Sequence, residues 1–221
     1  MRIDTVIFDG DGVVVDSEKI WDRGQEEFLR RRGFVYDRER IKPLLTGTSL
    51  VEGARIMKRE YGFRGDPETL AQERMEIVKD FFEREVDFIP GFREFYNRVQ
   101  RTYKTCMATS MAEDLLKIVD RRLNLLTLFD GKIFSLVEVG YRSKPAPDLF
   151  LYAARKLESK VENCVVIEDS PHGVEAARRA GMKCIALMTT YDEEKLSGAD
   201  LLADSYAELD LTVLETNTKQ E

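Results

Sequence analysis

Two aspartates separated by a single glycine, Asp9 and Asp11, directly follow the apolar run from Ile3 to Phe8. Two carboxylates at that spacing on a loop can face one point, and Gly10 and Gly12 let the backbone approach it closely. Three further places offer complementary chemistry. Thr109 and Ser110 follow the run YKTCMA and place hydroxyls beside the N–H groups of a new helix, where phosphate binds readily. Lys144 sets a cation on an extended loop stiffened by Pro145 and Pro147, and Glu168 and Asp169 close the apolar run CVVI. Four acids gathered at one edge repel one another, so they imply a hard divalent cation. Mg²⁺ fits best, because it takes few protein carboxylates and keeps waters and a substrate phosphate. Each piece alone has a plainer reading: a polar Asp-Gly turn, a helix cap, a solvated lysine, a loop acid pair. Their joint occurrence, each at the end of a strand-like run, favours a site that handles metal and phosphate.

The elements that must position these residues follow from periodicity and punctuation. Asp16-Ser17-Glu18 opens a helix running through Trp21, Phe28 and Leu29 to Gly33. A short helical piece covers Arg40 to Leu45 and is closed by Thr46-Gly47-Thr48-Ser49, and another helix covers Val51 to Tyr61. Asp66-Pro67 is an N-cap with proline in the first turn of a helix that reaches Glu85. The span 16–88 is therefore expected to be an all-helical insertion without strands. Beyond it, strands at Tyr103–Ala108, Lys132–Ser135, Cys164–Ile167, Lys183–Leu187 and Asp200–Asp204 alternate with helices at Gly91–Gln100, Met111–Arg122, Asp148–Leu157 and His172–Ala180. A last helix is expected from Tyr206, and the tail from Thr216 is expected to fray. Strand-helix alternation predicts an α/β fold, with a Rossmann-like parallel sheet as core and helices on both faces. Residues 1–15 and 89–221 form that core, and 16–88 form the inserted helical cap.

The totals set limits. The chain has 221 residues, 43% of them hydrophobic, and a net charge of −7, with a pI near 5.1. That acidity argues against nucleic acid or an anionic membrane as partner. No apolar run approaches the roughly 20 residues of a membrane span, and the N-terminus carries no signal-peptide pattern. Cys106, Cys164 and Cys184 lie in apolar runs without metal-ligand spacing, as expected of buried thiols in a reducing cytoplasm.

The stretches FDGDGVVVDSE, ATS, SKPAPDLF and IEDSPHGVEAARRAGM resemble the haloacid dehalogenase superfamily of phosphatases, in the branch with a helical cap after the first strand. The resemblance extends over essentially the whole chain. It implies Asp9 as nucleophile, Asp11 as general acid and base, and Thr109 and Lys144 as ligands of the phosphoryl oxygens. It also implies that Glu168 and Asp169 complete a Mg²⁺ site with the Asp9 carboxylate and the Asp11 carbonyl. The residue between the two acids is usually larger and apolar in such proteins; here it is Gly10, which bears on the stiffness of the nucleophile loop.

The expected activity is hydrolysis of a small phosphorylated metabolite, a sugar phosphate or a phosphoglycolate-like acid, through an aspartyl-phosphate. A halide leaving group needs neither Mg²⁺ nor Asp11, and phosphonate cleavage replaces the second acid by a small residue. A hexose-phosphate mutase similar to β-phosphoglucomutase is the nearest alternative. It needs a second phosphate clamp from a cap His and Arg, and the nearest positions here are Trp21 and Leu50. An inactive phosphate-binding protein is a further alternative, although none of Asp9, Asp11, Lys144 or Asp169 is missing. Trp21 reads equally as a substrate platform or as packing, and Gly47, Thr48 and Ser49 as a specificity loop or as a simple turn. His172 reads as a helix cap or a support to the acids, not a catalyst. The protein is expected to be a monomer, with cap hinges near Val15-Asp16 and Asp87–Pro90.

Overall fold

A computed structural model describes residues 2–45 and 48–214. The chain divides into two compact units, 1–16 with 87–221, and 17–86. Thr46, Gly47 and the tail from Thr216, for which a turn, a specificity role and fraying were expected, lie outside the described residues.

The first unit is built on six parallel strands. They are β1 (Thr5–Phe8), β2 (Lys104–Ala108), β3 (Ile133–Phe134), β4 (Cys164–Glu168), β5 (Lys183–Leu187) and β6 (Leu201–Ala203), in the order β3-β2-β1-β4-β5-β6. Every residue of β1 and β4 is buried, which is why both read as continuous apolar runs rather than alternating ones. Successive residues of β1 serve opposite faces. Ile7 joins a core with Leu149, Phe150, Val174 and Ala177. Phe8 packs edge-on against Phe92 and Phe129 and tilted against Tyr96. Helices therefore cover both sides of the sheet. All three cysteines are buried and free.

The second unit holds the helices Ser17–Arg30, Arg38–Leu45, Leu50–Tyr61 and Pro67–Glu85, named α1 to α4. Their ends obey local chemistry. Ser49 caps α3 by accepting the Glu52 N–H at 3.2 Å, and Asp66 caps α4 by accepting the Thr69 N–H at 3.0 Å. Phe28, Leu29, Ile41, Ala54, Met57 and Ile77 form its core. Inside it Arg74 is 3% exposed and donates to Gln25 and to the Leu50 carbonyl, partners the sequence did not announce. No described helix is long and apolar enough to cross a membrane.

In the first unit the helices continue as α5 (Phe92–Val99), α6 (Glu113–Leu123), α7 (Leu125–Leu128), α8 (Asp148–Lys156), α9 (Pro171–Ala180) and α10 (Glu193–Leu196). Two expectations are corrected. The helix expected from Met111 starts at Glu113 behind Ala112, so Ser110 is an exposed loop residue that does not adjoin the N–H groups of the helix. The helix expected from Tyr206 is absent; a 3₁₀ turn at Leu211–Leu214 stands there instead. Asp210 accepts from the Thr212 N–H and hydroxyl, and Tyr206 is drawn into the core.

Candidate active site

The register of the sheet fixes what meets what. Phe8 is level with Met107 on one side and Ile167 on the other, so Asp9, Thr109 and Glu168 leave three adjacent strands at the same edge. β1 is the point where the chain order reverses, and ligands of open α/β sheets bind in the crevice outside such carboxyl ends. The loop after Phe8 is tightly folded. Val14 and Val15 both donate to the Gly10 carbonyl at 2.9 Å, and Gly12 donates to the Val15 carbonyl at 2.9 Å.

Carboxylate oxygens of Asp9, Glu168 and Asp169 lie within 4.8 Å of one another, and all three residues are buried. Asp11 is half-buried and stands outside that group of three. The Lys144 ammonium enters the group, donating to Asp9 Oδ1 at 2.5 Å and to Glu168 Oε1. Its side chain is 9% exposed and its Nζ lies 5.1 Å from the centre of the Phe150 ring. Glu168 is fixed by its own loop. Its Oε2 accepts from the Asp169 and Ser170 N–H groups, each at 2.8 Å, and from the Ser170 hydroxyl at 2.9 Å. Ser170 in turn caps α9 by accepting the Gly173 N–H at 3.1 Å. A Cβ at Gly173 would lie 1.8 Å from the Glu168 carboxyl, so a side chain there would have to displace it.

Such crowding has an electrostatic signature. Burial, with the charges of Glu168 and Asp11 and against the pull of Lys144, raises the Asp9 carboxyl to about 7. Burial beside Glu168 and Asp9 likewise holds Asp169 well above the ordinary carboxylate range. Burial works against the Lys144 charge, but Asp9 and Glu168 outweigh it and hold the ammonium above its usual range. Three buried acids with one cation between them leave excess negative charge, and a hard metal ion fits their oxygen donors.

A consequence follows for stability. Without metal, the native protein keeps a proton on Asp9 between pH 3.8 and about 7, where the unfolded chain has lost it. The native state binds more protons across that window, so stability falls as the pH rises through it, by on the order of a few kcal/mol. Asp169 acts in the same direction. Thermal unfolding in chelator is expected to show the midpoint dropping from pH 5 to pH 7, and added Mg²⁺ to raise it most at the upper end. A flat profile in chelator would remove the idea of uncompensated acids.

Thr109 is fully buried at the end of β2. Its N–H donates to the Phe134 carbonyl at 2.9 Å and its hydroxyl oxygen accepts from the Met111 N–H at 3.0 Å. The hydroxyl therefore serves as a local cap and keeps its own proton to donate. In the helical unit, Trp21 is half-buried and meets Phe82 edge-on at 6.3 Å. The Thr48 hydroxyl donates to the Leu45 carbonyl at 2.8 Å, and Ser49 caps α3. His172 is exposed in the first turn of α9, and the cap expected of it is supplied by Ser170.

Two supports escaped the sequence reading. Thr189, past the end of β5, donates its hydroxyl to the Gly12 carbonyl at 2.6 Å, and the Tyr206 hydroxyl donates to the Val13 carbonyl at 2.9 Å. Thr189 shares the carboxyl edge with the acids, which is a usable signal. Tyr206 is 193 positions from Val13 and carries no local signal. Gly12 has a φ of 70°, and a Cβ there would lie 1.9 Å from Asp169 Oδ2, so two constraints meet at one glycine.

Residues 3–181 match the family model described as haloacid dehalogenase-like hydrolase. The chain is 30% identical over 187 residues to 6-phosphogluconate phosphatase of Escherichia coli, covering 82% of this chain and 81% of that protein. It is also 30% identical over 183 residues to a fructose-1-phosphate phosphatase of the same organism, covering 81% and 94%. Among solved structures, a haloacid dehalogenase family hydrolase from Deinococcus radiodurans with bound phosphate and sodium aligns with a TM-score of 0.82 at 28% identity, over 97% of this chain and 96% of that one. With these matches and the parallel sheet carrying its acids at the switch point, the chain belongs to the haloacid dehalogenase-like hydrolases.

Proposed function

We propose that the protein is a Mg²⁺-dependent phosphatase of small phosphomonoesters, with sugar phosphates as the substrate class, working through an aspartyl-phosphate. The observation that carries the reading is the meeting of Asp9, Glu168, Asp169 and Lys144 at the carboxyl edge, beside the buried Thr109 hydroxyl. The sugar-phosphate class is supported by the activities named for the two Escherichia coli relatives.

A phosphomonoester dianion resists an anionic attacker, so the site must neutralise it first. Asp9 and Asp169, with Glu168 and the Asp11 carbonyl, are the groups that would hold Mg²⁺. When bound, the ion supplies positive charge against the phosphoryl oxygens and lowers the proton affinity of Asp9. Lys144 adds a second positive charge at the same edge, and Thr109 donates its hydroxyl proton to a phosphoryl oxygen. A carboxylate oxygen of Asp9 attacks phosphorus as the bond to the leaving oxygen breaks, and protonated Asp11 gives that oxygen its proton. Asp11 then takes a proton from water, which attacks phosphorus and frees the Asp9 carboxylate.

Phosphate release from a panel of small phosphomonoesters, with Mg²⁺ and with chelator, tests this. Mg²⁺-dependent release, largest for sugar phosphates, is the expected result. Little net release, with interconversion of hexose 1- and 6-phosphates once a bis-phosphate is added, would establish the mutase instead. No turnover of any kind would leave a phosphate-binding protein.

A further inference from the structure

The loop between the two acids lacks a side chain at its centre, and backbone conformation does not demand that. Gly12 needs a left-handed backbone, but Gly10 is not among the residues with positive φ. What excludes a side chain is a neighbour. An ideal Cβ on Gly10 would lie 2.4 Å from Thr109 Oγ1 and 2.8 Å from Thr109 Cβ, closer than real Cβ atoms come. The next atom, the Met107 methyl, would be at an ordinary 3.7 Å. Thr109 is therefore the neighbour that must shift if a side chain is placed here.

Thr109 has little room to yield. It is 0% exposed, its N–H is tied to Phe134 and its hydroxyl oxygen to the Met111 N–H. From the other side, the Gly10 carbonyl is held by the Val14 and Val15 N–H groups, so the loop cannot back away without breaking its own turn. The threonine hydroxyl thus occupies the space that a side chain on Gly10, between Asp9 and Asp11, would need.

We propose that Gly10 is a positioning residue, whose missing side chain seats the Thr109 hydroxyl against the nucleophile loop and so sets the affinity of the site for a phosphoryl group. The assignment rests on Thr109 being a phosphoryl ligand. A methyl group at position 10 displaces that hydroxyl while leaving the carboxylates and the lysine in place. Gly10→Ala therefore raises KM for a phosphomonoester, and the inhibition constant of inorganic phosphate, about tenfold, with a much smaller change in kcat.

The test is a double-mutant cycle with Thr109→Gly, which removes both atoms that the new methyl would meet, read as KM, phosphate inhibition and thermal midpoint. Gly10→Ala is expected to impair the parent chain on all three measures and to have almost no effect in the Thr109→Gly background. Should Gly10→Ala fail to fold, Gly10→Ala/Thr109→Gly is expected to restore a folded protein. Additive effects, a parent-like KM in folded Gly10→Ala, or no restoration by the second change would overturn the proposal. Thr109→Val, nearly the same shape without the hydroxyl, separates the two layers. If it binds phosphate as the parent does, Thr109 is not a phosphoryl ligand and both readings fall. If it is impaired while Gly10→Ala is not, only the role of Gly10 falls.

Discussion

An Asp9→Asn variant is expected to fold normally and to hydrolyse phosphomonoesters at least about 10³-fold more slowly than the parent chain. Asparagine keeps the shape of the side chain but has no anionic oxygen with which to attack phosphorus. Acid-quenched parent enzyme should carry one added phosphoryl group by mass, and the variant none. Stability separates this from simple structural damage. Asp9 sits among acids that burial and mutual repulsion disfavour in the ionised state. Removing one charge relieves that repulsion, so at pH 7 and without metal the variant is expected to melt higher than the parent. Parent-like turnover in Asp9→Asn would remove this residue from the mechanism, whatever the melting curve showed.

Replacing Lys144 by methionine should have the second-largest effect, and here activity and stability fall together. Lys144 is the one cation reaching both Asp9 and Glu168 among the described contacts. Deleting one member of a buried charge pair costs roughly 3–5 kcal/mol when the other charge is left behind. At about 2–4 °C per kcal/mol for a chain of this size, the midpoint in chelator drops by on the order of 10 °C at pH 8. The loss shrinks toward pH 5, because Asp9 and Asp169 can then take up protons in place of the missing ammonium. Under the proposed mechanism, in which Lys144 neutralises the phosphoryl group, catalysis is expected to fall by about 10²–10³-fold at every pH. Melting curves at pH 5 and pH 8, with rates under saturating Mg²⁺, check both parts. A pH-independent loss of stability would mean that Lys144 acts through packing on Phe150 rather than through charge.

The legibility of the chain follows the range of the interactions involved. Acids that end apolar runs are a local signal, so Asp9 after Phe8 and Glu168 after Ile167 were readable, and the sheet registers bring them together. The cap chemistry of Asp66 and Pro67 is equally local, and α4 starts where it says. Ala112 heads α6 with no side-chain hydrogen bond, so nothing local marks its start, and the sequence pattern begins the helix two residues early at Met111. α7 and α10 have four residues each, too few for a helical period to show, although Asp192 does cap α10. The braces from Thr189 and Tyr206, and the filling by Thr109 of the space beside Gly10, are made only when distant parts of the chain converge. No window of sequence contains both partners of any of them.

The junction between the two units has its own implication. Where the chain departs and returns, Asp16 donates to the Asp87 carbonyl, Ile89 to the Val14 carbonyl, and Val15 bridges Phe88 in antiparallel sense. The ends of the inserted stretch are thus zipped side by side before any helix begins. Such a doorway makes the barrel-less sheet indifferent to the passenger it carries: the excursion can lengthen, shorten or be exchanged for another without changing the distance its anchors must span. Differences within the insert are therefore expected to leave the fold of the sheet-bearing unit unchanged.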